Sequence, residues 1–125
     1  MYGSICNEGF LRRARSVIRR VLSIVYGDKY YSVLSYHLKK TLRLEGASLT
    51  ELLIENPREV YKAMRILYRD EDALDSFLTL TLSAVNEVVG LTMPSEKIVK
   101  AMKTGNRKVI VGYLKLLVWH YERSE

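Results

Sequence analysis

The sequence predicts an all-α fold, a compact bundle of about six or seven helices in orthogonal or antiparallel packing. Three observations predict it. Apolar residues recur at three- and four-residue spacing through most of the chain, the period of a helix with one buried face. Only two prolines occur in 125 residues, and Pro57 and Pro94 both stand where a helix would begin. Glycines and short polar residues punctuate the periodic segments where helices stop and start.

Helix 1 opens with Asn7 as its N-cap and runs to about Tyr26, with Phe10, Ala14, Val17, Ile18, Val21, Leu22 and Val25 on one face. Gly27 stops it and Asp28 caps helix 2 at once, so the two form a tight αα-hairpin. Helix 2, about 29–44, aligns Tyr31, Leu34, Leu38 and Leu42, flanked by Tyr30 and His37, and Gly46 ends it. Ser48 and Glu51 read as the capping box of a short third helix through Glu55. Asn56-Pro57 with Glu59 starts a fourth, which buries Val60, Met64 and Leu67 with Tyr61 and Tyr68 beside them.

The fifth helix runs from Asp70-Glu71-Asp72 to Gly90. Leu74, Phe77, Leu78, Thr81, Leu82, Val85, Val88 and Val89 cover more than half its circumference, the pattern of the central, most buried helix. Pro94-Ser95-Glu96 opens the sixth, Gly105 closes it, and Asn106 caps a seventh from Arg107 to about Arg123. Val109, Ile110 and Val111 leave a strand reading open there, but the length and the Ile110, Leu114, Leu117, Tyr121 spacing favour a helix.

One domain over residues 1–125 is expected, with 8–90 supplying the core helices and 92–125 a basic helical hairpin packed on them. A composition of 48% hydrophobic and 27% charged residues excludes a disordered chain. The lone Cys6 cannot form an internal disulfide, and neither a secretory signal nor a membrane-length apolar run is visible, so the expected compartment is the cytoplasm.

The net charge of +6 is unevenly placed. Residues 1–27 hold five basic residues against one acid, and residues 91–125 hold seven against three, whereas residues 48–90 hold four against eight. Basic ends thus flank an acidic middle, which can serve an acidic partner or let the parts of one fold attract each other.

Enzyme chemistry finds no support, and no cofactor or small-molecule substrate is inferred. The two histidines, His37 and His120, and the single cysteine stand at no ligand-like spacing. Each histidine reads as a partly buried residue with a structural hydrogen bond. Asp70, Glu71, Asp72 and Asp75 lack the glycine and terminal glutamate of a calcium loop and sit where carboxylates favour a helix start. Residues 48–67, with Arg58, Lys62 and Arg65, loosely resemble a helix-turn-helix, but Glu51, Glu55 and Glu59 surround them and the turn is too short. The lysines around the sixth helix, Lys97, Lys100, Lys103 and Lys108, read with Arg107 as a solvated face.

Helix 1 is the better electrostatic candidate. Arg12, Arg13, Arg15, Arg19 and Arg20 occupy its outer side with no acid between Phe10 and Gly27, and an antiparallel helix 2 would bring Lys39 and Lys40 near its start. Five arginines on the phosphates of duplex DNA would give a salt slope of log K of roughly −4 to −5. The competing reading is an internal clamp, in which these arginines meet the acids of residues 51–75. A membrane surface ranks below both, because the buried stripe would have to leave the core. The seventh helix is apolar almost all round, and Val111, Tyr113, Leu114, Leu117, Val118, Trp119 and Tyr121 suggest a homodimer interface beside the alternative of burial within a monomer.

Residues 8–90 also resemble a family of small archaeal helical domains, the Nitrosopumilus-type output domains. The likeness is carried by SVLSYHLKKTLRL (Ser32 to Leu44), LTELLIENPREVYKAMRILY (Leu49 to Tyr68) and the apolar helix from Ala73 to Gly90. It implies an output or interaction module of archaeal signal transduction and supplies no functional residue. The arginine-only face, Arg69-Asp70 where the pattern has a glycine, and the hairpin from Thr92 to Glu125 depart from it. The function expected is a non-catalytic interaction or regulatory module working through protein–protein contacts, homodimeric through helix 7. The alternative is nucleic-acid binding through the arginines of helix 1.

Overall fold

The computed structural model describes residues 8–43 and 48–124 and forms an all-α bundle. Among the described residues the helices are α1 (Glu8–Tyr26), α2 (Tyr30–Leu42), α3 (Leu49–Glu55), α4 (Pro57–Tyr68), α5 (Glu71–Val89), α6 (Ser95–Thr104) and α7 (Arg107–Ser124). The segment left open to a strand reading is helical. Cys6, the Asn7 cap and the Gly46 stop lie outside the described residues.

Local chemistry sets most boundaries. Ser48 and Glu51 form the reciprocal capping box, the Ser48 hydroxyl accepting from the Glu51 N–H and the Glu51 carboxylate accepting from the Ser48 N–H. Asp70 accepts from the Asp72 N–H, and Asn106 accepts from the Val109 N–H at 3.2 Å. Gly90 and Gly105 end α5 and α6 at φ of +75° and +74°, a left-handed conformation that costs glycine little. Arg43 and Arg69 hold the same region at φ of +57° and +67°, where a side chain is strained by ~1 kcal/mol.

Two predicted caps differ. Asp28 accepts from the Ser23 hydroxyl instead of capping α2, whose N-cap is Lys29 without a side-chain bond. Asn56 likewise makes no side-chain cap, and Pro57 alone pre-sets the start of α4.

One core runs from Leu11 to Val118 through every helix. α5 touches α1 and α7, which touch each other, and also α4 and α6, which touch each other. It is therefore shared by two three-helix groups, while α2 and α3 close the bundle against α1 and α4. Its expected status as the most buried helix is not met, because Leu80 and Val88 are 70% and 37% exposed. Among the described residues no neighbour covers Leu80. Leu67 is exposed as well, at the end of α4, where the chain turns away from the core. The buried side chains of Tyr31, Thr50, Asn86 and Tyr113 find partners across helices. Tyr31 and Thr50 share a hydrogen bond at 3.0 Å, and Tyr113 donates to Asn86, whose amide donates to the Met93 carbonyl. The Arg107 Nε donates to the Ile54 carbonyl at 3.0 Å, satisfying an end of α3 from α7.

Candidate nucleic-acid interface

The arginines of α1 divide by position. At 100° per residue Arg12, Ser16, Arg19 and Ser23 lie along the centre of the outer face, Arg20 and Arg13 on one flank, and Arg15 on the other. Arg15 faces α3 and reaches Glu51 at 3.4 Å, the long contact left by a carboxylate already serving the capping box. Its Nε is buried without a partner. Arg13 faces α7 and grips Glu122 with both Nε and Nη2, at 3.0 and 2.5 Å. That fork raises the Arg13 pKa and lowers that of Glu122, the hydrogen bond being the main cause for each. Arg12, Arg19 and Arg20 are exposed and make no ion pair among the described residues. The Arg19 guanidinium lies 5.8 Å from the centre of the Tyr31 ring.

The internal-clamp reading thus accounts for Arg15, whose acid belongs to the acidic middle. Arg13 finds its acid at the far end of the chain. The remaining three are displayed to water.

α7 extends this face. It runs antiparallel to α1, since Arg13 meets Glu122 while Ile18 and Val21 share a cavity wall with Leu117 and Leu114. Seven residues before Glu122, and so on the same flank, is the exposed Lys115. Trp119 is 52% exposed, with the Arg123 guanidinium 4.6 Å from its ring centre and the His120 ring packed edge-on, the ring centres 5.0 Å apart. The joint surface presents Arg12, Arg19, Arg20, Lys115, Trp119 and Arg123; Glu122, at the seam of the two helices, is neutralised by Arg13, and Asp28, bonded to Ser23, stands at the other end of α1. Glu8 lies in the first turn of α1, at the margin.

Lys39 and Lys40 do not join it. The first turn of α3 stands between α1 and the middle of α2: the Leu49 N–H donates to Ser35, Thr50 meets Tyr31, and Glu51 meets Arg15. Lys40 lies over its own helix's Tyr36 at 6.0 Å. The expected dimer face also changes. Val111, Tyr113, Leu114, Leu117 and Val118 are buried in this chain's own core, because α7 packs on α1, α3, α5 and α6 together. They can line no interface without leaving it. Trp119 and, half-buried, Tyr121 remain at the surface.

A second basic group is closed. Lys103 of α6 lies 2.7 Å from Glu71 and 2.9 Å from Asp75, with its Nζ 5.5 Å from the centre of the Tyr61 ring, and Tyr61 donates to Asp75 at 2.5 Å. Burial pushes the Asp75 pKa up, but the hydrogen bonds from Tyr61 and Lys103 outweigh it and hold the carboxyl below its ordinary value. The Tyr61 phenol is pushed up to about 12, by burial first and then by donation to Asp75. Hydrogen bonds to Glu71 and Asp75 raise the Lys103 pKa above its ordinary value. Lys103 and Arg107 are therefore structural, whereas Lys97, Lys100 and Lys108 are exposed as expected.

The helix-turn-helix resemblance fails on geometry, with a single residue, Asn56, between α3 and α4, and Lys62 paired to Glu59 at 3.6 Å. His37 is exposed, not partly buried, beside Tyr36 on the outer side of α2. Among the described residues no group of three or more His, Cys, Asp or Glu could hold a metal ion, and no helix is long and apolar enough to cross a membrane. No family model, curated protein or solved structure matches the chain.

Proposed function

We propose that this chain is a binding module that holds single-stranded nucleic acid on the joint outer face of α1 and α7. One observation carries the reading: three exposed arginines without an ion pair among the described residues share a surface with an exposed tryptophan, and the acid between the two helices, Glu122, is already neutralised by Arg13. Guanidinium groups are well matched to phosphate oxygens, and an exposed indole offers a sequence-tolerant platform for an unpaired base. A regulatory output role, implied by the archaeal resemblance, belongs with such a surface as its means of docking.

The test is binding of a fluorescent dT15 oligonucleotide at ~50 and ~200 mM salt. Three to five phosphate contacts on a single strand should weaken affinity by roughly 20- to 100-fold across that range. Trp119 fluorescence should be quenched on binding. No binding at the lower salt would reject the reading.

Contact with a protein partner or a second copy is a second reading, favoured by a different observation. Ala73, Phe77, Leu80, Ala84 and Val88 form an apolar stripe along the uncovered flank of α5, and Tyr26 and Tyr68 lie against its Phe77 end. Light scattering over a range of concentrations, with Leu80→Glu beside the natural chain, tests the self-association form of it. Mass independent of concentration would remove that form.

A further inference from the structure

All seven helices contribute to the wall of a half-open apolar cavity of about 110 Å3. Its lining is aliphatic, aromatic and thioether apart from the hydroxyls of Tyr30, Thr81 and Tyr113, and no charged side chain reaches it. The Tyr113 hydroxyl is already committed to Asn86, and that of Thr81 shares a hydrogen bond with Tyr26 at 2.5 Å.

Four rings stand at one side of this space. Tyr30 and Phe77 line the cavity, and Tyr26 lies against both, with centroids 4.6 and 5.9 Å away. Tyr68 packs on Phe77 at 5.0 Å. Tyr26 and Tyr68 are exposed to water, so the inner pair faces the cavity and the outer pair faces solvent. Tyr26 is the last residue of α1, and what fixes its ring in place beyond stacking is the hydroxyl contact with Thr81. Turning the Tyr26 ring outward would uncover Tyr30 and Phe77, the rings that face the cavity.

We infer that this cavity is a binding site for a small, flat, uncharged aromatic molecule of benzene-to-indole size, admitted past Tyr26. An apolar cavity of about 150 Å3 takes up benzene, so the space here is of the right order. Met64 and Met102 stand in the wall, and their unbranched, flexible side chains let the site widen for a second ring. A charged ligand is excluded, because nothing in the wall would compensate a buried charge.

The test titrates the full chain with benzene and with indole, read by backbone amide NMR. A saturable one-to-one response is expected, centred on α1, α5 and α7, with a dissociation constant of roughly 0.05–1 mM. Val85→Phe fills the space and should weaken binding at least ~10-fold, and the milder Val21→Ile should weaken it ~3-fold if the larger change prevents folding. Tyr26→Phe keeps the ring and removes the Thr81 contact, so ligand exchange should quicken ~5-fold at nearly constant affinity. An absence of saturable shifts up to the ligands' solubility, or binding indifferent to the filling variants, would overturn the site. An unchanged exchange rate in Tyr26→Phe would overturn the entry path.

Discussion

Lys103 and Arg19 are both long cations on helices at the surface of the bundle, yet their surroundings are opposite. Lys103 is held by Glu71, Asp75 and the face of Tyr61, contributed by the two helices packed against its own. Arg19 rests on one aromatic ring and meets no carboxylate among the described residues. The difference comes from what lies alongside. α4, α5 and α6 touch one another in a triangle, so a cation on α6 is surrounded by acids that begin α5. Among the described residues no helix lies over the centre of α1's outer side, and the arginines that meet acids are those on its two flanks, facing α3 and α7. A basic stretch is structural where packing encloses it and free to bind where packing stops.

The largest effect should come from the open region. Replacing Arg12, Arg19 and Arg20 together by alanine should weaken oligonucleotide binding by ~30- to 300-fold, since each loses a charge-assisted contact. Circular dichroism should show the fold and melting temperature unchanged.

Trp119→Ala comes next. Losing a stacked base should cost about 1–3 kcal/mol of binding free energy with the salt slope preserved, measured by titration at several salt concentrations. A flatter slope would mean that the tryptophan positions phosphates instead.

The closed region should respond in stability and not in binding. Lys103→Met leaves Asp75 and Glu71 without their cation and should cost about 1–2 kcal/mol in urea unfolding, allowing for the partial exposure of all three groups. Oligonucleotide affinity should not move.

The same cluster sets a pH dependence whose sign can be worked out. Asp75 has a depressed folded pKa, so its contribution is present above the ordinary carboxylate range and is lost as pH falls through the folded value. Tyr61 is raised to about 12 and Lys103 is raised above 10.5, so the folded state keeps protons that the unfolded chain releases near pH 10. Stability should therefore fall as pH rises beyond ~10, and Tyr61→Phe should make that alkaline slope shallower. An unaltered slope would show that Tyr61 has no part in it.

The smallest effect concerns backbone strain. Arg69 takes a left-handed turn that glycine adopts without strain, and Arg69→Gly should raise stability by ~0.5–1 kcal/mol. Thermal unfolding measures this directly.

Features decided within four residues were legible in the sequence. Helix 3's capping box, the Asp70 and Asn106 caps, and the stops at Gly90 and Gly105 stand where expected, because capping depends on neighbours in the chain. Asp28 and Asn56 are the exceptions: Ser23, a little over one helical turn away, competes for the Asp28 carboxylate, and Asn56 makes no side-chain cap bond. Partnerships between distant segments were not legible. Nothing local links Arg13 to Glu122, 109 residues on, or shows that α3 would stand between the arginines and Lys39. The buried pairs Tyr31–Thr50 and Tyr113–Asn86, and the bond from Arg107 to Ile54, arise from packing alone. Helix 7 read as apolar all round because its core stripe is broad, and only the fold separates Leu117 from Trp119.

The most direct test of the division within α1 sets two variants side by side, Arg12→Ala with Arg19→Ala and Arg20→Ala, and Arg15→Ala with Arg13→Ala and Glu122→Gln, the last two removed together so that no bare carboxylate is left on the face. For each, oligonucleotide affinity at ~50 mM salt and melting temperature are measured together. The first should lose affinity and keep its melting temperature; the second should lower the melting temperature and hold affinity within ~3-fold. Equal losses of affinity in both would contradict the division of paired and displayed arginines.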